Sequence, residues 1–176
     1  MPRVQVGPFN PLNVLKGDDA LLSCTAKANP PVRSIEWYKS GNLISHNGNH
    51  TIIRVEPSDS GLYTCIANNG VISNEEGDQS NKLQLSVQYG PIVNMISSKE
   101  VTLGDTISIR CNVDSDPKPF SIVWTKEGDS RVIETKDILV LERVTPSDAG
   151  RYFCIARNKL RPSGSTFEFE KSGNSS

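Results

Sequence analysis

Arg54-Val55-Glu56-Pro57-Ser58-Asp59-Ser60-Gly61-Leu62-Tyr63-Thr64-Cys65 returns later in the chain as Arg143-Val144-Thr145-Pro146-Ser147-Asp148-Ala149-Gly150-Arg151-Tyr152-Phe153-Cys154. A run of the form Asp-x-Gly-x-Tyr-x-Cys makes tight structural demands. The glycine permits a corner that a Cβ would crowd. The tyrosine can bury its ring while its hydroxyl bonds back to the corner's backbone. The cysteine points into a core and needs a partner on a facing sheet. Two such copies divide the 176 residues into two repeats, each of about 90 residues and large enough for a core of its own.

The four cysteines fall two to a repeat, Cys24 with Cys65 and Cys111 with Cys154. Neither pair has the Cys-x-x-Cys spacing of a zinc site or a redox motif. One disulfide per repeat is the leading reading, and two buried free thiols per repeat is the alternative. The sequons Asn49-His50-Thr51 and Asn174-Ser175-Ser176 favour an oxidising compartment and make Asn49 and Asn174 candidate glycosylation sites. The net charge is -1 with acidic and basic residues well mixed, which argues against nucleic acid or an anionic membrane as partner. No run is apolar enough to span a membrane, so this stretch does not insert directly. The start at Met1-Pro2 reads as a cut boundary, since no leader is evident.

Outward from the two corners, short alternating segments separated by Gly, Pro and Asn turns indicate β-sandwiches. Arg3–Val6 and Leu12–Leu15 read as one edge strand split by Pro8 and Pro11. Ala20–Lys27 carries Ala20, Leu22 and Cys24 on one face, and Trp37 lies on the next strand, able to pack against a Cys24–Cys65 bridge. Lys82–Tyr89 closes the first repeat with Leu83, Leu85 and Val87 alternating inward. In the second repeat Trp124 matches Trp37, Gly104-Asp105 matches Gly17-Asp18, and both repeats carry Ile-Ala-x-Asn after the cysteine. Phe167 and Phe169 take the inward positions of the last strand, with Glu168 and Glu170 outward. Trp37, Tyr63, Trp124 and Tyr152 are the expected aromatic core. No sustained helical period occurs, so helix is limited to a turn at each Pro-Ser-Asp corner. The expected boundaries are a domain over 1–90, a second over 91–171, and a disordered Gly/Ser tail over 172–176. The joint Gln88-Tyr89-Gly90-Pro91-Ile92 is too short for a flexible tether, which predicts a rigid end-to-end pair.

Cys…Trp…Asp-x-Gly-x-Tyr-x-Cys, occurring twice and covering nearly the whole chain, resembles the immunoglobulin superfamily. The fold expected is all-β: two immunoglobulin-like β-sandwiches in tandem, each with one inter-sheet disulfide. The short run between Trp and corner leaves no room for the extra strands of a variable-type domain, so both domains resemble the compact I-set or C2 type. A narrower likeness rests on Asn10-Pro11-Leu12, on His50-Thr51-Ile52-Ile53-Arg54-Val55, on Asn68-Asn69-Gly70 and on the joint Val87-Gln88-Tyr89-Gly90-Pro91. These are similar to nephrin-like adhesion receptors, and similar joints occur in carcinoembryonic and sialic-acid-binding adhesion molecules. The resemblance implies an extracellular part of a larger, membrane-anchored cell-surface protein. Its partner would be another immunoglobulin-superfamily cell-surface protein, homophilic or heterophilic, met through the sheet carrying the Trp and second-Cys strands.

Alternation then selects candidate partner-binding residues. With Trp37, Tyr63 and Cys65 inward, Tyr38, Leu62 and Ile66 face out, and the second repeat offers Phe153 and Ile155. The long Asn68–Asn81 hairpin adds Glu75 and Glu76, which lack a calcium-loop spacing, so neither a metal nor any other cofactor is expected. Single apolar residues are ordinary on any surface; only a joined patch with a polar rim reads as a binding site. Arg157, Lys159 and Arg161 are a weak candidate for sulfated glycans or an acidic loop. An enzyme is the least expected class, because His46 and His50, the two histidines, lie near a turn with no evident nucleophile. Three further readings stay open: a receptor fragment gripping a soluble ligand near the joint, a purely structural spacer, and an intracellular sarcomeric-type pair with free thiols.

Overall fold

The computed structural model describes residues 2–71, 78–95 and 98–175. The chain divides into two compact units, one of Met1–Gln88 with Arg161–Thr166, the other of Tyr89–Leu160 with Phe167–Ser176. A short stretch of the second repeat, Arg161–Thr166, groups with the first unit.

Unit 1 comprises β1 (Arg3–Gly7), β2 (Leu12–Leu15), β3 (Ala20–Lys27), β4 (Ser34–Lys39), β5 (Asn42–Ser45), β6 (Asn49–Ile52), β7 (Gly61–Asn68) and the first part of β8 (Asp78–Asn94). One sheet has the order β1-β3-β6. The other contains β8-β7-β4-β5, with β2 added parallel to β8. The proline break between β1 and β2 thus lets the edge strand change sheets, since proline cannot donate to a ladder. Asn10 anchors the crossing: its side-chain amide donates to the Lys82 carbonyl at 2.7 Å and its Oδ1 accepts from the Gln84 amide at 3.0 Å. Between the sheets lie Leu22, Trp37, Tyr63, Leu83, Leu85 and Val87, all essentially without solvent contact, and the Cys24–Cys65 disulfide joins β3 to β7.

Each corner is a single 3-10 turn, Pro57–Asp59 and Pro146–Asp148. The glycine after it has φ 142° at Gly61 and 138° at Gly150, a region costly for a side chain. The repeated Gly-Asp pair has a matching role. Val55 N–H donates to the Asp18 carbonyl and Gly17 N–H to the Val55 carbonyl, at 2.8 and 2.9 Å. Val144, Asp105 and Gly104 repeat this at 2.9 and 2.9 Å. The Asn of Ile-Ala-x-Asn is structural too. Asn158 is fully buried and its Nδ2 donates to the carbonyls of Tyr89 and Pro117, both at 2.8 Å.

Unit 2 takes the rest of β8 and adds β9 (Ile107–Arg110), β10 (Asn112–Asp116), β11 (Ser121–Lys126), β12 (Asp129–Glu134), β13 (Ile138–Leu141), β14 (Tyr152–Leu160) and β15 (Phe169–Ser175). Its main sheet is β12-β11-β14-β15. β13 pairs with β9, and β10 pairs with the Tyr89–Asn94 part of β8. The Cys111–Cys154 disulfide and Trp124 occupy its centre. Two expectations are corrected here. Residues 172–175 are not a disordered tail but strand: β15 pairs with β14 from Leu160↔Phe169 to Cys154↔Ser175. In that register Phe169 lies opposite the end of the core and is 45% exposed, while Phe167 precedes the ladder and is 72% exposed, so neither fills the interior. Tyr152 is accordingly half-buried, whereas Tyr63 is buried.

Candidate functional site

The outer face of the β5-β4-β7-β8 sheet gathers three of the residues selected from the sequence. In the β4–β7 ladder Glu36 lies opposite Ile66 and Tyr38 opposite Thr64. In the β7–β8 ladder Leu62 lies opposite Gln84, Thr64 opposite Lys82 and Ile66 opposite Ser80. Because alternate residues share a face, Tyr38, Leu62 and Ile66 emerge together, opposite the side that packs Trp37, Tyr63 and Cys65. Leu62 is 47% exposed; Tyr38 and Ile66 are half-buried by their neighbours.

Leu43 joins the set: it pairs with Tyr38 across the β4–β5 hairpin and is 43% exposed. Sequence alternation alone stops at the turn after β4, which the structure places at Ser40-Gly41, so this residue was missed. Carrying the face of Tyr38 across that two-residue turn would have found it. The polar rim is organised by Glu36. Tyr38 Oη donates to its Oε2 at 2.7 Å, and His46 Nδ1 lies 3.1 Å from its Oε1. The Tyr38 hydroxyl first, and His46 second, hold the Glu36 carboxyl below its usual range, so this side of the rim carries a carboxylate at neutral pH. Lys82 and Gln84 border the opposite side.

The unit 2 counterpart is smaller. Val123 lies opposite Ile155, and Thr125 opposite Phe153; Phe153 and Ile155 are half-buried. The sequon residue Asn174 is exposed and directly opposite Ile155. The other sequon residue, Asn49, opens β6. It is exposed on the β1-β3-β6 sheet, away from Tyr38 and Leu62. Two of the basic trio pair with neighbouring carboxylates: Arg157 lies 3.7 Å from Glu170, and Lys159 lies 3.5 Å from Glu168 and over the Phe120 ring; Arg161 is exposed, and its backbone amide donates to Gln88 Oε1. Glu75 and Glu76 lie outside the described residues.

Immunoglobulin-domain family models match residues 4–87 and 91–158. The chain belongs to the immunoglobulin superfamily. Among its relatives, rat myelin-associated glycoprotein is 27% identical over 173 residues, covering 94% of this chain and 27% of that protein. Human hemicentin-1 is 30% identical over 164 residues, covering 84% of this chain and 3% of that protein. This immunoglobulin pair therefore spans a small part of the curated relatives it matches. The full ectodomain of mouse nectin-like molecule 4 superposes with TM-score 0.70 at 24% identity, covering 98% of this chain and 62% of that one. A complex of Dpr2 Ig1-Ig2 with DIP-Theta Ig1-Ig3 gives TM-score 0.70 at 20% identity over 97% of this chain and 63% of that one. At these identities the structural likeness shows the immunoglobulin fold. No helix among the described residues is long and apolar enough to cross a membrane.

Proposed function

We propose that this immunoglobulin pair is an extracellular recognition fragment that binds another immunoglobulin-superfamily cell-surface protein through the β5-β4-β7-β8 face of unit 1. The observation that carries the reading is the joined patch of Tyr38, Leu43, Leu62 and Ile66 on one open sheet face, edged by Glu36, His46, Lys82 and Gln84. An apolar centre with a polar rim is the anatomy of a protein interface. The aromatic Tyr38, with its hydroxyl already committed to Glu36, suits the role of a central anchor. The solved Dpr2–DIP-Theta complex supports the partner class, since both of its members are immunoglobulin proteins.

Placement of the sequons supports unit 1 over unit 2. A glycan on Asn174 would stand directly across from Ile155 and cover the unit 2 patch, whereas one on Asn49 would leave the unit 1 patch clear. Individual contacts of this size are weak, and a cell-surface array would multiply them by valency. The test is adhesion between beads coated with the full ectodomain, comparing wild type with Leu62→Asp and with Tyr38→Ala. Loss of trans-binding by both variants, with unchanged thermal unfolding, is expected. Full binding by both, or by an ectodomain lacking residues 1–176 altogether, would reduce the pair to a spacer.

A further inference from the structure

The chain holds two Asn-Gly pairs, Asn47-Gly48 and Asn69-Gly70, and the fold places them in opposite surroundings. Asn47 is exposed in the bend between β5 and β6. Its backbone amide donates to Ser45 Oγ at 3.1 Å, but among the described residues neither its side-chain amide nor the Gly48 N–H has a hydrogen-bond partner. Asn69 is 2% exposed, and its Oδ1 accepts from the Val71 amide at 3.2 Å. The Gly70 N–H donates to Asn68 Oδ1 at 2.6 Å, and Arg33 Nε lies 2.5 Å from where a Cβ on Gly70 would stand. These differences bear on one local reaction. Glycine has no Cβ to crowd its amide nitrogen or to restrict the backbone, so that nitrogen can reach the Cγ of a preceding asparagine and close a five-membered ring.

We propose that Asn47 is a site of spontaneous deamidation through a cyclic imide, and that the fold holds Asn69 out of the same reaction. The Gly48 nitrogen, on losing its proton, bonds to Asn47 Cγ. The Cγ–Nδ2 bond breaks, and Nδ2 leaves as ammonia, taking up that proton. Water then opens the imide at either carbonyl and leaves aspartate or isoaspartate at position 47. In isoaspartate the main chain runs through Cβ and Cγ and is one atom longer. The added atom falls immediately before Gly48, whose carbonyl accepts from the Cys24 amide at 2.8 Å and from Trp37 Nε1 at 3.0 Å. The modification therefore lengthens the link that carries the acceptor for the core tryptophan and for a bridged cysteine. It also adds a carboxylate next to His46, which faces Glu36. At Asn69 the attacking nitrogen and the side chain it would attack are both tied by hydrogen bonds and must first be released. Each such bond slows the reaction roughly fivefold, so Asn47 should convert about 25 times faster than Asn69.

The test incubates the full chain in ¹⁸O-water at mildly alkaline pH, folded and in urea. Thr51→Ala removes the Asn49 sequon, so that no enzymatic deglycosylation, which itself turns asparagine into aspartate, is needed. Peptide mapping locates each converted residue, ¹⁸O uptake marks conversion during the incubation, and an isoaspartate methyltransferase assay detects the product of the imide. The expected result is isoaspartate at position 47, formed with the stated lead over Asn69 in the folded chain and at a similar rate to it in urea. The unfolding midpoint of unit 1, read at Trp37 in a Trp124→Phe background, falls as isoaspartate accumulates, and Asn47→Gln abolishes both changes. An Asn47 as slow as Asn69 in the folded chain would overturn the proposal. So would conversion to aspartate alone, which means direct hydrolysis without the ring. The same lead persisting in urea would overturn it too, since the difference would then lie in local sequence and not in the fold.

Discussion

The hydroxyl of Tyr63 donates to the Asp59 carbonyl at 2.7 Å with its ring fully packed, and Tyr152 makes the same bond to Asp148 at 2.8 Å beside an open groove. Lys39 and Lys126 stand over the two rings, 5.1 and 5.4 Å from their centres, and donate to corner carbonyls. The bond is one; the surroundings differ. Removing the hydroxyl takes from the Asp59 carbonyl its 2.7 Å partner in a packed site and leaves it the Lys39 ammonium at 3.0 Å, while water can reach the Asp148 carbonyl. Tyr63→Phe is therefore expected to destabilise unit 1 by about 1–2 kcal/mol, and Tyr152→Phe to cost unit 2 clearly less, near the low end for a hydrogen bond. Urea unfolding followed at Trp37 and at Trp124, each read in the variant lacking the other, measures the two separately. Equal losses would mean that the groove does not admit water to the second corner. Below the tyrosine, the Thr145 amide and then the Thr145 hydroxyl bond Asp148 and hold its carboxyl below the ordinary 3.8. Its contribution is complete above that ordinary value and is lost as pH falls through the lower, folded one.

At the scale of the element, the corner is held by the Gly-Asp turn it leans on. Gly17 has φ 91° and Gly104 φ 86°, and a Cβ at either would meet nothing within 4 Å. The need for glycine here is conformational alone. Gly17→Ala and Gly104→Ala should each cost about 1–2 kcal/mol, the penalty of an L-residue in the left-handed region. The expected outcome is a lowered unfolding midpoint in the affected unit with no change in binding; a midpoint unmoved in both would show that the turn relaxes without loss. These glycines also show how much could be read beforehand. The corner, the disulfide pairing, the proline-split edge strand and the inward Trp followed from local chemistry, because glycine, proline and alternation act over a few residues. The register of β15 did not. Its alternation of Phe and Glu was visible, but alternation fixes a face and leaves the offset along β14 open, and any shift by an even number of residues keeps that face. Leu43 escaped for a related reason: cross-strand neighbours are set by pairing, which sequence spacing does not state.

At the scale of the whole molecule, the repeats that look equivalent in sequence rest on unequal interiors. Unit 1 has a contiguous buried cluster in which Leu12, Leu22, Trp37, Val55, Leu83 and Val87 surround the Cys24–Cys65 bridge. In unit 2 the corresponding cluster is Cys111, Trp124, Leu139 and Cys154, with partly buried residues such as Val93, Ile109, Ile122 and Tyr152 packed against it. A disulfide typically contributes about 2–5 kcal/mol to a small domain, and a core too small to hold a fold by itself depends on that contribution. Cys24→Ala with Cys65→Ala should therefore leave unit 1 folded with a lowered midpoint. Cys111→Ala with Cys154→Ala should leave unit 2 unfolded at physiological temperature. Because each unit contains one tryptophan, emission from Trp37 in a Trp124→Phe background and from Trp124 in a Trp37→Phe background reports each unit alone. If unit 2 stays folded without its bridge, its interior is better filled than the open groove indicates.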